Sequence, residues 1–209
     1  MRNHKHEGGS TLNKIGGFTI LEFIVSMALI GIIFVFVGSM TNQFSNVSTF
    51  VNRDLSNKQG ITQVFQTMTS EIRSAGPSSV GDYAIQSASS TEFTFFSDVD
   101  GDGLFERVRY FFTTSTLNRG IVKPAGEPLV YATSSETIRV LVSGVIPASS
   151  SFYYYDANYT GSEPPLAYPI DVSTVRAIEI RLYVDLRSGT APQAVYYNDV
   201  VTIRNLRSN

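Results

Sequence analysis

The 209-residue chain contains no cysteine, and its only two histidines, His4 and His6, fall within the first six positions. A disulfide framework is therefore excluded. So are thiolate or imidazole zinc centres, and the Cys-His and Ser-His-Asp arrangements, anywhere beyond Gly17. His4, His6 and Glu7 read as part of a solvated basic leader and not as a metal tract. Positive charge is also scarce. Setting aside Arg2, Lys5, Lys14 and Glu7 from the 16 cationic and 18 acidic residues leaves 13 against 17, a net of −4. Phosphate neutralisation wants clustered Lys and Arg, so nucleic acid is not an expected partner, and Arg204 and Arg207 read as exposed strand ends. Carboxylates are plentiful, yet no spacing singles out a general acid and a base. No catalytic residue and no organic cofactor is expected, and the chain does not read as an enzyme.

What the sequence does have is one long apolar run. Phe18 to Gly38 is interrupted only by Thr19, Glu22 and Ser26, and roughly 20 such residues suffice to cross a bilayer as a helix. A carboxylate inside a span costs about 2.5 kcal/mol or more, so Glu22 calls for a partner. Cleavage between Gly17 and Phe18 would supply one, because the new α-amino group of Phe18 is a cation available to Glu22 or to the Glu22 of a neighbouring subunit. An ordinary secretory signal would end in a small-residue cleavage site, which Gly38-Ser39-Met40-Thr41-Asn42 does not offer. A plain anchor explains the length and leaves Glu22 and Gly16-Gly17 unexplained. Arg2, Lys5 and Lys14 before the span favour a cytoplasmic leader and an outward-facing C-terminal part.

The stretch Gly17-Phe18-Thr19-Ile20-Leu21-Glu22 resembles the cleavage and methylation signal of type IV prepilins and type II secretion pseudopilins. That resemblance covers about 25 residues, and all three family positions are occupied. It implies a prepilin peptidase cutting after Gly17 and methylating Phe18, with Glu22 as the assembly carboxylate. It also implies an inner-membrane assembly platform and other pilin or pseudopilin subunits as partners, and residence in the inner membrane before entry into a pilus or pseudopilus. A minor subunit is implied more than a major pilin, and Glu22 speaks against the tip-most pseudopilins, which lack this carboxylate. An anchored adhesin or binding module that never polymerises is the alternative from another class.

After the span, apolar residues recur at Phe44, Val47, Val51, Leu55, Ile61, Phe65, Met68 and Ile72, one face of an amphipathic helix. No proline intervenes before Gly76-Pro77, so the helix is expected over 18–75, roughly 85 Å at about 1.5 Å per residue. Beyond Pro77 the period becomes alternating. Strands are expected at 92–97, 105–113, 117–122, 137–146, 151–156, 175–186 and 194–206, with loops at 87–91, 147–151 and 161–165. In the sixth strand Ile178, Ile180, Leu182, Val184 and Leu186 share one face, and Glu179, Arg181 and Asp185 fall on a face expected to be wet. The expected organisation is α+β and pilin-like. It comprises a leader (1–17), a long helix (18–75, transmembrane over 18–38) and an outward-facing antiparallel β domain (76–209) on which the helix packs. The general layout of the C-terminal half is similar to larger minor pilins and J-type pseudopilins.

Asp98-Val99-Asp100-Gly101-Asp102-Gly103 places three carboxylates at alternating positions followed by a glycine that permits a sharp turn, the opening of an oxygen-rich calcium loop. A full EF-hand is excluded, since its twelfth position is Arg109 and Glu106 falls at the ninth. Two readings stand: a calcium site using Asp98, Asp100, Asp102 and Glu106, and a plain hairpin turn made by the Asp-Gly steps. Tyr153, Tyr154, Tyr155 and Tyr159 are read either as a docking patch or as strand residues with one face in the core.

Overall fold

The structure is a computed structural model and describes residues 19–185 and 194–206, with the side chains of all these except 38–58. Its α-helix, α1, runs Ile20–Arg73. The chain resolves into two compact units, 1–52 and 53–209, with the boundary inside α1.

In the first unit, Ile20–Val37 has a mean hydropathy of 2.8, and none of it is buried. Phe34, Val35 and Phe36 are exposed by 73%, 76% and 65%. A stretch apolar on every side and covered on none is long and greasy enough to cross a bilayer.

In the second unit α1 becomes one-sided. Ile61, Phe65, Met68 and Ile72 are all buried, spaced by four, three and four residues so that they fall on one stripe. That stripe joins the core formed with the strands. The helix stops where Gly76-Pro77 breaks it. The Gly76 amide donates to the Phe96 carbonyl at 3.0 Å, and a Cβ at Gly76 would lie 2.8 Å from the Phe105 ring, so a larger residue at the turn-off would have to displace that ring.

The strands form two antiparallel meanders. The first contains β1 (Ile85–Ala88), β2 (Glu92–Ser97), β3 (Glu106–Phe112), β4 (Thr116–Val122) and β5 (Thr137–Ser143), ordered as in sequence. The second contains β6 (Ser151–Tyr155), β7 (Ala177–Val184) and β8 (Val195–Thr202). A bridge between Val145 and Val184 links them, as does a 2.9 Å bond from the Phe152 amide to the Ser90 carbonyl. Phe93 meets Tyr154 and Phe112 stacks on Phe152 across this junction, giving one continuous core.

The α+β expectation holds, with an apolar N-terminal helix followed by an antiparallel β domain. Several details differ. The segment 87–91 is not all loop: β1 reaches Ala88, and a register shift within its few residues hides the alternation that would have marked it. The last expected strand ends at Thr202, and Arg204–Leu206 turns into a 3-10 helix that buries Leu206. The face of β7 expected to be wet is closed over Glu179, which is only 4% exposed, because Tyr155 donates to its Oε2 and Arg181 forks across both its oxygens.

Candidate functional site

Two places merit a functional reading, one in each unit. At the start of α1, the Thr19 amide and hydroxyl both donate to Glu22 Oε2 at 3.0 Å, and the Glu22 amide donates back to Thr19 Oγ1 at 3.3 Å. This is a reciprocal capping box, which satisfies helix N-terminal donors that otherwise have no partner. Glu22 is exposed and is the only charged side chain of Ile20–Val37. The Thr-x-x-Glu spacing was readable in the sequence and gives Glu22 a local role beside any assembly role. Gly17 and Phe18, the expected cleavage and methylation positions, lie outside the described residues.

The second place is the loop 98–105 that closes the hairpin of β2 and β3, in which Ser97 pairs with Glu106. Asp98 accepts from the amides of Gly101 (2.8 Å) and Gly103 (3.0 Å), both glycines at positive φ. Asp100 Oδ1 accepts from the Asp102 amide and Asp102 Oδ1 from the Leu104 amide. One carboxylate oxygen from each of Asp98, Asp100 and Glu106 lies within 4.8 Å of the others. Asp102 is not in that cluster. It is ion-paired with Lys123, whose Nζ also binds Asp100 Oδ2 at 2.7 Å. These bonds hold the Asp102 carboxyl below its ordinary value, the Lys123 contact first among them. The loop is thus a hairpin turn and a gathering of carboxylates at once.

Glu106 occupies the inward parity of β3, with Val108 and Tyr110, and is 2% exposed. Arg109, on the outward parity, faces away to Glu136 and Glu92 and stacks on Phe111. Alternation across Glu106-Arg107-Val108-Arg109-Tyr110 was the available signal that Glu106 points inward.

The tyrosines do not form a free patch. Tyr154 is fully buried, Tyr155 is buried against Glu179, and Tyr153 lies beneath the Arg181 guanidinium at 4.2 Å. Tyr159 packs on Tyr155 with ring centroids 4.0 Å apart. A cavity of about 310 Å³ between α1 and β8 is lined by Thr62, Phe65, Gln66, Thr69, Tyr197 and Asp199, among others, and Thr69 is bonded to Asp199 at 2.7 Å. It brings together one carboxylate, Asp199, and neutral side chains.

No family model matches the chain, and no curated protein matches it in sequence. Among solved structures it is similar to a chain in the GspK-GspI-GspJ complex of the type 2 secretion system of enterotoxigenic Escherichia coli. The identity is 12% and the TM-score 0.45, over 71% of this chain and 97% of that one. At that identity and score the likeness assigns no function.

Proposed function

We propose that the chain is a prepilin-like subunit. It is cut between Gly17 and Phe18 by a prepilin peptidase and methylated on Phe18. It is then assembled through its apolar helix into a type IV pilus or type II secretion pseudopilus, as a minor subunit. The observation that carries this reading is a wholly exposed apolar helix with a single charge, Glu22, one turn from its start and directly behind the Gly17-Phe18 step. A side chain of that cost is kept in a span when subunit packing neutralises it. The work of such a protein is assembly and not turnover, which suits a chain without His or Cys beyond Gly17. The positive leader supports insertion with the β domain outward.

Recovery of the protein with and without the peptidase, followed by intact and N-terminal mass spectrometry, tests this. A chain beginning at methylated Phe18 only when the peptidase is present is the expected result. An uncut chain in both samples would sink it.

The anchored, non-polymerising module is separated by Glu22. Gln keeps a capping box and removes the charge. Glu22→Gln should therefore abolish incorporation into sheared filaments while membrane display persists, and Thr19→Ala, which removes the cap and keeps the charge, should largely spare it. Unimpaired incorporation of Glu22→Gln would favour the anchor. Abundance in the sheared fraction distinguishes a minor from a major subunit.

A further inference from the structure

The loop between β2 and β3 carries more oxygen than its own bonds use. Glu106 Oε2 accepts from the Val99 amide at 3.0 Å, but Oε1 is buried with no hydrogen-bond partner. A buried carboxylate oxygen without a donor or a counter-ion is costly, and native folds rarely keep one without a use.

The side chains gathered with Glu106 at this end of the hairpin are carboxylates, Asp98 and Asp100. Asp98, Asp100 and Glu106 each offer a carboxylate oxygen within 4.8 Å of the others, close enough for one ion with ligands at about 2.4 Å to touch all three. The backbone fixes the half-buried Asp98, through the Gly101 and Gly103 amides, and the exposed Asp100, through the Asp102 amide. Lys123, from the end of β4, places an ammonium at the mouth, where it bonds Asp100 and Asp102.

We propose that Asp98, Asp100 and Glu106 form a calcium-class cation site, with Glu106 as its buried anchor and Lys123 as an internal competitor for Asp100. An all-carboxylate set without nitrogen or sulfur fits a hard cation and not zinc. Calcium accepts irregular oxygen geometry and gives up its waters readily, whereas magnesium holds an octahedral shell tightly. The assignment is independent of the subunit reading, because a non-polymerising anchor would carry the same loop.

The test is calorimetry and thermal unfolding of the full chain in detergent micelles, stripped with a chelator and titrated with calcium chloride or magnesium chloride to about 10 mM, above the range of extracellular calcium modules. Saturable calcium binding with a rising Tm and a much weaker magnesium response is expected. Glu106→Gln and Asp98→Asn should each weaken calcium about tenfold or more by removing a ligand charge, and Lys123→Met should tighten it. Circular dichroism on each variant confirms that the fold is kept. If Glu106→Gln unfolds, the Lys123→Met comparison decides alone. Absence of heat and of Tm shift in both the wild type and Lys123→Met overturns the site. So does equal binding by a folded Glu106→Gln, or equal response to the two ions.

Discussion

Two glutamates outside the loop show how burial sets what a carboxylate contributes. Glu71, near the end of α1, accepts from Tyr110 Oη at 2.6 Å and from Arg119 Nε at 3.0 Å, with side-chain exposures of 12% for Glu71 and 17% for Arg119. Burial lifts the Glu71 carboxyl above 4.5, and Tyr110 and Arg119 offset only part of that. An ion pair whose desolvation outweighs its attraction adds little net stability but is harmful to break. Glu71→Ala should therefore cost about 3–5 kcal/mol in chemical denaturation, whereas Glu71→Met with Arg119→Met should recover most of it. A double variant as unstable as the single would contradict that account. Because its folded value is raised, Glu71 favours folding below its unfolded value and loses that contribution as pH rises through the folded one. Glu163 works in the opposite sense. It accepts from the Thr160 hydroxyl and amide, both at 2.6 Å, which bring its carboxyl down to about 2 from an ordinary 4.5. Its contribution is full above 4.5 and is lost as pH falls through about 2. A carboxyl-carbon NMR titration should place the Glu163 midpoint near that value, and a midpoint near 4.5 would show that the 160–163 loop does not hold it.

At the scale of elements, α1 changes character along its length, and its two parts should respond differently to substitution. Met68 and Ile72 are fully buried in the core, whereas Leu29 and Ile33 are exposed by 56% and 60%. Met68→Ala or Ile72→Ala should cost about 2–5 kcal/mol by urea unfolding, since each leaves a cavity that the packed strands fill only partly. Leu29→Ala should leave that transition unmoved. A large loss at Leu29 would mean that the apolar stretch belongs to the folded core. Among the strands, β2 has both faces covered: Phe93 and Phe95 point into the core, and Phe96 packs against Tyr131 at 5.1 Å. The hairpin that carries the acidic loop is thus mounted on a strand paired on both sides, by β1 and β3.

Taken whole, the described core cluster begins at Ile61 and draws its buried residues from the second unit alone. A fragment starting at Arg53 should fold independently and melt in one cooperative calorimetric transition. A broad transition without a baseline would show that the preceding helix is required. The sequence by itself determined the apolar run, the Gly17-Phe18-to-Glu22 pattern, the buried stripe of the helix from Ile61 to Ile72 and seven of the eight described strands, because each depends on spacing along the chain. A period of about 3.6 or of 2 names the face on which a side chain lies but not what that face meets. Partners distant in sequence therefore had to come from the tertiary structure. It divided the strands into two meanders, closed Tyr155 and Arg181 over Glu179, and set Arg119 against Glu71. The acidic loop was legible as four oxygen-bearing residues. The inward turn of Glu106 was implicit in the alternation of its strand, but only the tertiary structure set it beside Asp98 and Asp100 and gave Asp102 to Lys123.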